Sequence, residues 1–196
     1  MIITSLRSRR SGRLVLIFAA VLLLLLPASS LVAQEPSIVE LVVTNTNSSV
    51  LLFLEVRNAF TKEMIQGMHN GIPVAFTFSV ELYRKRKGWL NQEIISFDFD
   101  HTMSYDTLKE EYRLDLDERP AKIFKTKGFT EAEQLMTQLN GVTVASLSSL
   151  IPDEEYILRV KARQAEKTLP LYFHYVIPFW GLWDFETDWY AIEFRY

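Results

Sequence analysis

The chain has 196 residues, 48% of them hydrophobic, with a formal net charge of −3 and no cysteine. That size suits one globular domain with a short appendage, and the missing cysteine excludes a disulfide framework, a thiolate metal site and a lipid-modified cysteine anchor. The charge is uneven: residues 1–33 hold Arg7, Arg9, Arg10 and Arg13 and no acid, which leaves 17 basic against 24 acidic side chains in the rest, a net of −7 that argues against general nucleic-acid binding.

The first stretch reads as an address. The basic run Arg7 to Arg13 precedes thirteen apolar residues, Leu14 to Leu26, and these lead into Pro27-Ala28-Ser29-Ser30-Leu31-Val32-Ala33. A basic start, a short apolar run and a small-residue exit form the pattern of a secretory signal peptide, whereas a bilayer-spanning helix needs about 20 apolar residues. The expected cut falls after Ser30 or Ala33; the alternative is an uncleaved leader that anchors the chain in the inner membrane. Ser8-Arg9-Arg10 resembles a twin-arginine signal. Gly12 stands where that signal takes an apolar residue, so the general secretory route is the expectation. Residues 1–33 are then the leader and 34–196 a single domain working in the periplasm.

Within that domain, Ile38–Thr46 and Val50–Arg57 read as two strands joined by an Asn/Ser turn. Phe60, Met64 and Met68 recur at four-residue spacing, which predicts a helix over 59–69 with Asn58 as N-cap and Asn70-Gly71 as stop. The most regular stretch is 72–100. Ile72, Val74, Phe76, Phe78, Val80 and Leu82 alternate on one face, the turn is Arg84-Lys85-Arg86-Lys87-Gly88, and Ile95, Phe97 and Phe99 return. Period-two alternation of this length predicts a long hairpin with one buried face, and such a hairpin requires a covering layer.

Tyr105–Leu116 reads as a further strand and Ala121–Thr126 as a weaker one. Thr130-Glu131-Ala132-Glu133 has the form of a capping box. It opens a predicted helix with Ala132, Leu135, Met136 and Leu139 on one face and Asn140-Gly141 at its close. Strands are predicted again at Val142–Leu147, Tyr156–Ala162 and Trp189–Tyr196. Eight or nine strands with two short helices predict a mainly β fold, an antiparallel β-sandwich of immunoglobulin or fibronectin type.

Two resemblances bear on this reading. Leu150-Ile151-Pro152 followed by Tyr156-Ile157-Leu158-Arg159-Val160-Lys161-Ala162 resembles the E–F corner of fibronectin type III domains. The resemblance implies that the Tyr156 hydroxyl ties the corner to the backbone and that Leu158 and Val160 face the core. Along nearly its whole length the chain resembles an exported bacterial family known only as a domain of unknown function. The matching features are the leader, Asn70-Gly71-Ile72-Pro73 entering a long strand, the basic turn with Trp89, Tyr105 through Tyr112, the Phe129–Leu139 helix, Tyr156 to Ala162, Leu169-Pro170 and the tryptophan-rich end. That resemblance implies envelope sensing beside a nitrogen-regulation-type sensor kinase, and it supplies no catalytic residues.

The chemical inventory is thin. Asp98, Asp100 and His101 offer metal-ligand types, but on a strand the two aspartates share one face and His101 takes the other. No Gly-x-Ser-x-Gly elbow or glycine-rich phosphate loop is present. The expectation is therefore a non-catalytic protein with no cofactor and no metal, binding another envelope protein. Two surfaces are candidates. Tyr172, Phe179, Trp180 and Trp183 lie in the aromatic segment 169–190 and mark a partner surface if they are exposed. Arg84, Lys85, Arg86 and Lys87 form the one basic cluster of the mature chain and are candidates for contact with lipid headgroups, the alternative being a solvated hairpin tip that discourages edge-to-edge pairing. A second functional class is a small outer-membrane β-barrel, suggested by the alternation of Tyr190, Ile192, Phe194 and Tyr196 up to an aromatic C-terminus.

Overall fold

The structure, a computed structural model, describes residues 35–121, 123–165 and 185–196. Nine strands and two α-helices are present among them: β1 (Ser37–Asn45), β2 (Ser49–Arg57), α1 (Lys62–His69), β3 (Val74–Arg84), β4 (Gln92–Asp106), β5 (Glu111–Leu116), β6 (Ile123–Thr126), α2 (Phe129–Thr137), β7 (Gln138–Ser146), β8 (Glu155–Gln164) and β9 (Tyr190–Arg195). The strands form two antiparallel sheets, β1-β2-β7 and β6-β5-β4-β3-β8-β9. In chain order this places β1, β2 and β7 where an immunoglobulin fold has A, B and E, and β3, β8 and β9 where it has C, F and G. β4 and β5 extend the second sheet as C′ and C″ do in variable-type domains. β6 departs from that scheme, because it stays paired to β5.

The core is what the alternation of each strand puts inside. β2 contributes Val50, Leu52, Leu54 and Val56, β3 contributes Phe76, Phe78, Val80 and Leu82, and β8 contributes Tyr156, Leu158, Val160 and Ala162, all buried. Met64 and Met68 of α1 and Ala132 and Met136 of α2 are fully buried where the helices meet this layer. An apolar interior of large side chains is the reverse of a small transmembrane barrel, whose apolar band faces outward. The described strands also divide into two sheets with end strands instead of closing into one cylinder, so the barrel expectation is corrected.

Local boundaries differ from the sequence-based expectations for identifiable reasons. Helix α1 is capped by Thr61, whose hydroxyl accepts from the Met64 amide at 3.2 Å, and not by Asn58, which sits at φ 57°. The expected strand from Tyr105 to Leu116 is interrupted by a turn. The Asp106 carboxylate accepts from the Leu108 and Lys109 amides at 3.0 and 3.1 Å, which bends the chain and leaves Leu108 exposed between β4 and β5. The capping box at Thr130 does not form. Gly128 is the N-cap, and Glu131 instead accepts from the Thr126 hydroxyl at 2.5 Å. The helix then passes without a loop into β7, so Leu139 reaches the core from a strand, and Gly141, at φ 80°, marks a bulge in β7 opposite Phe53.

The tyrosine corner is present. The Ile151 amide donates to the fully buried Tyr156 hydroxyl at 2.8 Å. Replacing Tyr156 with Phe keeps the packing and removes this bond, at an expected cost of about 1 kcal/mol. Urea titration should show a lower midpoint at unchanged slope; an unchanged midpoint would mean that the corner contributes nothing.

Candidate functional site

The chemistry-bearing surface of the domain lies at one end of the larger sheet, around the turn between β3 and β4. Antiparallel pairing carries β3 to Arg84 opposite Gln92 on one side and opposite Tyr156 on the other, so the turn emerges beside the start of β8 and the end of β9. The Lys85 amide donates to the Glu155 carbonyl at 2.8 Å and fixes the base of the turn to β8. Its ammonium group lies 2.8 Å from Glu193 and 3.4 Å from Glu155, and Arg195 closes on Glu155 at 2.9 Å. The Glu193 hydrogen bond raises the pKa of Lys85, and the Arg195 hydrogen bond lowers that of Glu155. Exposed pairs of this kind add little stability singly, but together they fix where the turn stands.

Beyond this base the turn is basic and apolar. Arg84 donates to Gln92 Oε1 at 2.7 Å, and Arg86 donates to the same oxygen. Lys87 and Gly88 form the apex, and the φ of +77° at Gly88 is one that a side chain resists. Trp89 is 82% exposed and Leu90 90% exposed. Between this turn and the corner segment Asp153–Glu155 lies an open cleft of about 830 Å³ that also takes in Trp89, Asn91 and Arg195.

The structure thus brings Arg84, Lys85, Arg86 and Lys87 together, as the sequence indicated, and splits them by role. Lys85 is committed to Glu193 and Glu155, whereas the other three face outward or meet only a neutral amide. Leu90 went unnoticed in the sequence; the signal available was an apolar pair, Trp89-Leu90, breaking the alternation between a basic turn and a strand. Tyr172, Phe179, Trp180 and Trp183 lie outside the described residues. Of the aromatic segment, Phe185 is described and buried, with its ring 4.5 Å from that of Phe76. Trp189 and Tyr190 are exposed, and Arg159 lies over the Trp189 ring at 4.7 Å.

The residues with metal-ligand chemistry do not converge. Asp100 accepts from the Thr77 hydroxyl at 2.7 Å and Asp98 pairs with Arg163 at 3.4 Å on the outer face, while His101 is fully buried on the inner one. His101 Nδ1 lies 2.9 Å from the Met136 carbonyl, which can only accept, and Nε2 lies 2.8 Å from Glu118 Oε2. Burial pushes the Glu118 carboxyl up, but the His101 hydrogen bond and charge outweigh it, and the net shift is downward. Both ring nitrogens thus meet acceptors, and these two contacts tie β4 to the end of α2 and to the Glu118 side chain.

Residues 33–193 match the model of the family described as a domain of unknown function, DUF4390. No curated protein and no solved structure matches the chain. No helix of the described residues is long and apolar enough to cross a membrane.

A lowered folded-state pKa at Glu118 means stability that is present above the ordinary glutamate range and lost as the pH falls through the folded value. Glu118→Gln keeps an acceptor for His101 and removes the titration. Stability measured by urea midpoint against pH should therefore fall less steeply on acidification in the variant than in the wild type, and parallel curves would remove Glu118 from the acid response. With a match covering 161 of the positions from 33 to 193, the chain belongs to the DUF4390 family.

Proposed function

We propose that the protein is an exported accessory domain of the cell envelope that works in the periplasm by binding a second envelope protein and not by catalysis. The basic and apolar leader at 1–33 supports export, and the edge of β9 supports binding. Natural sheets blunt their edges to avoid adventitious pairing, and three of the four end strands here are blunted. β1 is broken by a bulge with Glu40 at φ 55°, β7 carries two register shifts, and β6 has four residues. β9 is the exception: Tyr190–Arg195 pairs with β8 in unbroken register and has no second neighbour among the described strands. Trp189, Tyr190 and Tyr196 are exposed along it, which gives an incoming strand both backbone partners and aromatic contacts. A periplasmic segment of a receptor such as a sensor kinase is the partner class that the family resemblance favours.

The test is photo-crosslinking in intact cells expressing the full-length chain, with the reactive side chain at Ala191 on β9 or at Val42 on β1, both exposed. A discrete adduct from position 191 and none from 42, on a protein released by osmotic shock at the mass of a chain starting near Ser30 to Gln34, is the expected result. Equal adducts at both positions, or none, would remove β9 as the binding edge. Retention in membranes at full mass would replace the cleaved leader with an anchor.

A further inference from the structure

The β3–β4 turn carries features that the fold does not require. Trp89 and Leu90 are consecutive, almost fully exposed and outside both strands, so neither the ladder nor the core needs them. Single exposed apolar residues are ordinary, but an adjacent pair just past the apex of a projecting turn offers a contact surface. Beside them, Arg84 and Arg86 direct guanidinium donors at one neutral oxygen, Gln92 Oε1. A neutral amide compensates neither charge, and the donors left over are the planar sets that suit a phosphate. Lys87 adds a third cation, and no acid occurs from Arg84 to Gln92.

We propose that this turn is a peripheral anchor for an anionic phospholipid bilayer, with Arg84, Arg86 and Lys87 on lipid phosphates and Trp89 and Leu90 in the headgroup boundary. Charge complementarity selects the occupant, and the apolar pair distinguishes it from a free anion, which would use the cations and leave Trp89 and Leu90 in water. Tryptophan favours the membrane–water interface because its ring is apolar and its N–H stays hydrated. The acids across the cleft orient the contact. Glu155 is neutralised by Lys85 and Arg195, but Asp153 and Glu154 keep that wall off an anionic surface, so the domain meets the bilayer by its tip. The anchor residues belong to the turn and not to β9, although Lys85 joins the base of the turn to Glu193 of β9, and a label at position 90 and a crosslink from position 191 report on the two surfaces separately.

The chain has no cysteine, so Leu90→Cys creates a unique thiol for an environment-sensitive fluorophore. Leu108→Cys provides the control: it is 95% exposed, in the turn at the other end of β4, roughly 45–50 Å away along a fifteen-residue strand. The control matters because the leader of the full-length chain will itself seek bilayers. On phosphatidylcholine vesicles containing phosphatidylglycerol, the label at position 90 should shift to the blue and be reached by a bilayer-embedded quencher, while the label at 108 stays in water. Combining Arg86→Gln and Lys87→Gln, both at exposed positions, should weaken the response at 90 by roughly 25-fold, and pure phosphatidylcholine should weaken it at least as much. A label at 90 that stays in water, equal responses at 90 and 108, or a response indifferent to the two charges would overturn the proposal. A response to inorganic phosphate without one to vesicles would leave an anion site in place of a membrane anchor.

Discussion

The domain depends on β3 being held between two neighbours over a buried face. All eleven of its residues pair with β4, nine of them also pair with β8, and Val74, Phe76, Phe78, Val80 and Leu82 are buried along its inner face. A strand in that position cannot slip by one residue without turning Phe76, Phe78, Val80 and Leu82 out of the core. The consequences reach both ends. At one end the fixed register delivers Arg84 to Gln92 and Tyr156; at the other it places Phe76 against Phe60 and Phe185. The basic turn therefore continues directly from the most extensively paired strand of the described residues.

What the sequence made legible follows from where the physical signal is local. Alternation over β3 and the return arm, the Asn70-Gly71 stop with Gly71 at φ 87°, and the Tyr156 corner are each written within a few residues. The misread elements are those where one residue serves two patterns. Leu108 keeps the alternation of a strand, but the neighbouring Asp106 carboxylate captures two amides and converts it to a turn. Leu139 and Gly141 fit a helix face and its stop, yet pairing with β2 wins because it buries Leu139 and accommodates the glycine as a bulge.

The candidate surfaces show the same division. The basic cluster was visible as composition, but its separation into a tethered Lys85, a half-buried Arg84 on Gln92 and exposed Arg86 and Lys87 depends on Glu155 and Glu193, which arrive from β8 and β9 far along the chain. The contrast between the regular β9 edge and the bulged edges of β1 and β7 is likewise a matter of pairing, which no single strand reveals. His101 is another such case: its neighbours Phe78, Met136 and Glu118 come from three different segments.

The Tyr156 corner has one further consequence. Antibody-type sandwiches join their two layers with a cysteine pair between the B and F strands. Here β2 and β8 occupy those places with aliphatic side chains, and the turn before β8 is fastened by a phenol hydroxyl on a backbone amide. A fastening of that kind forms at the rate of folding and needs no oxidant, exchange catalyst or particular thiol balance. Folding of the domain therefore does not depend on thiol chemistry, and reductants that dismantle stapled sandwiches have no bond to cut here.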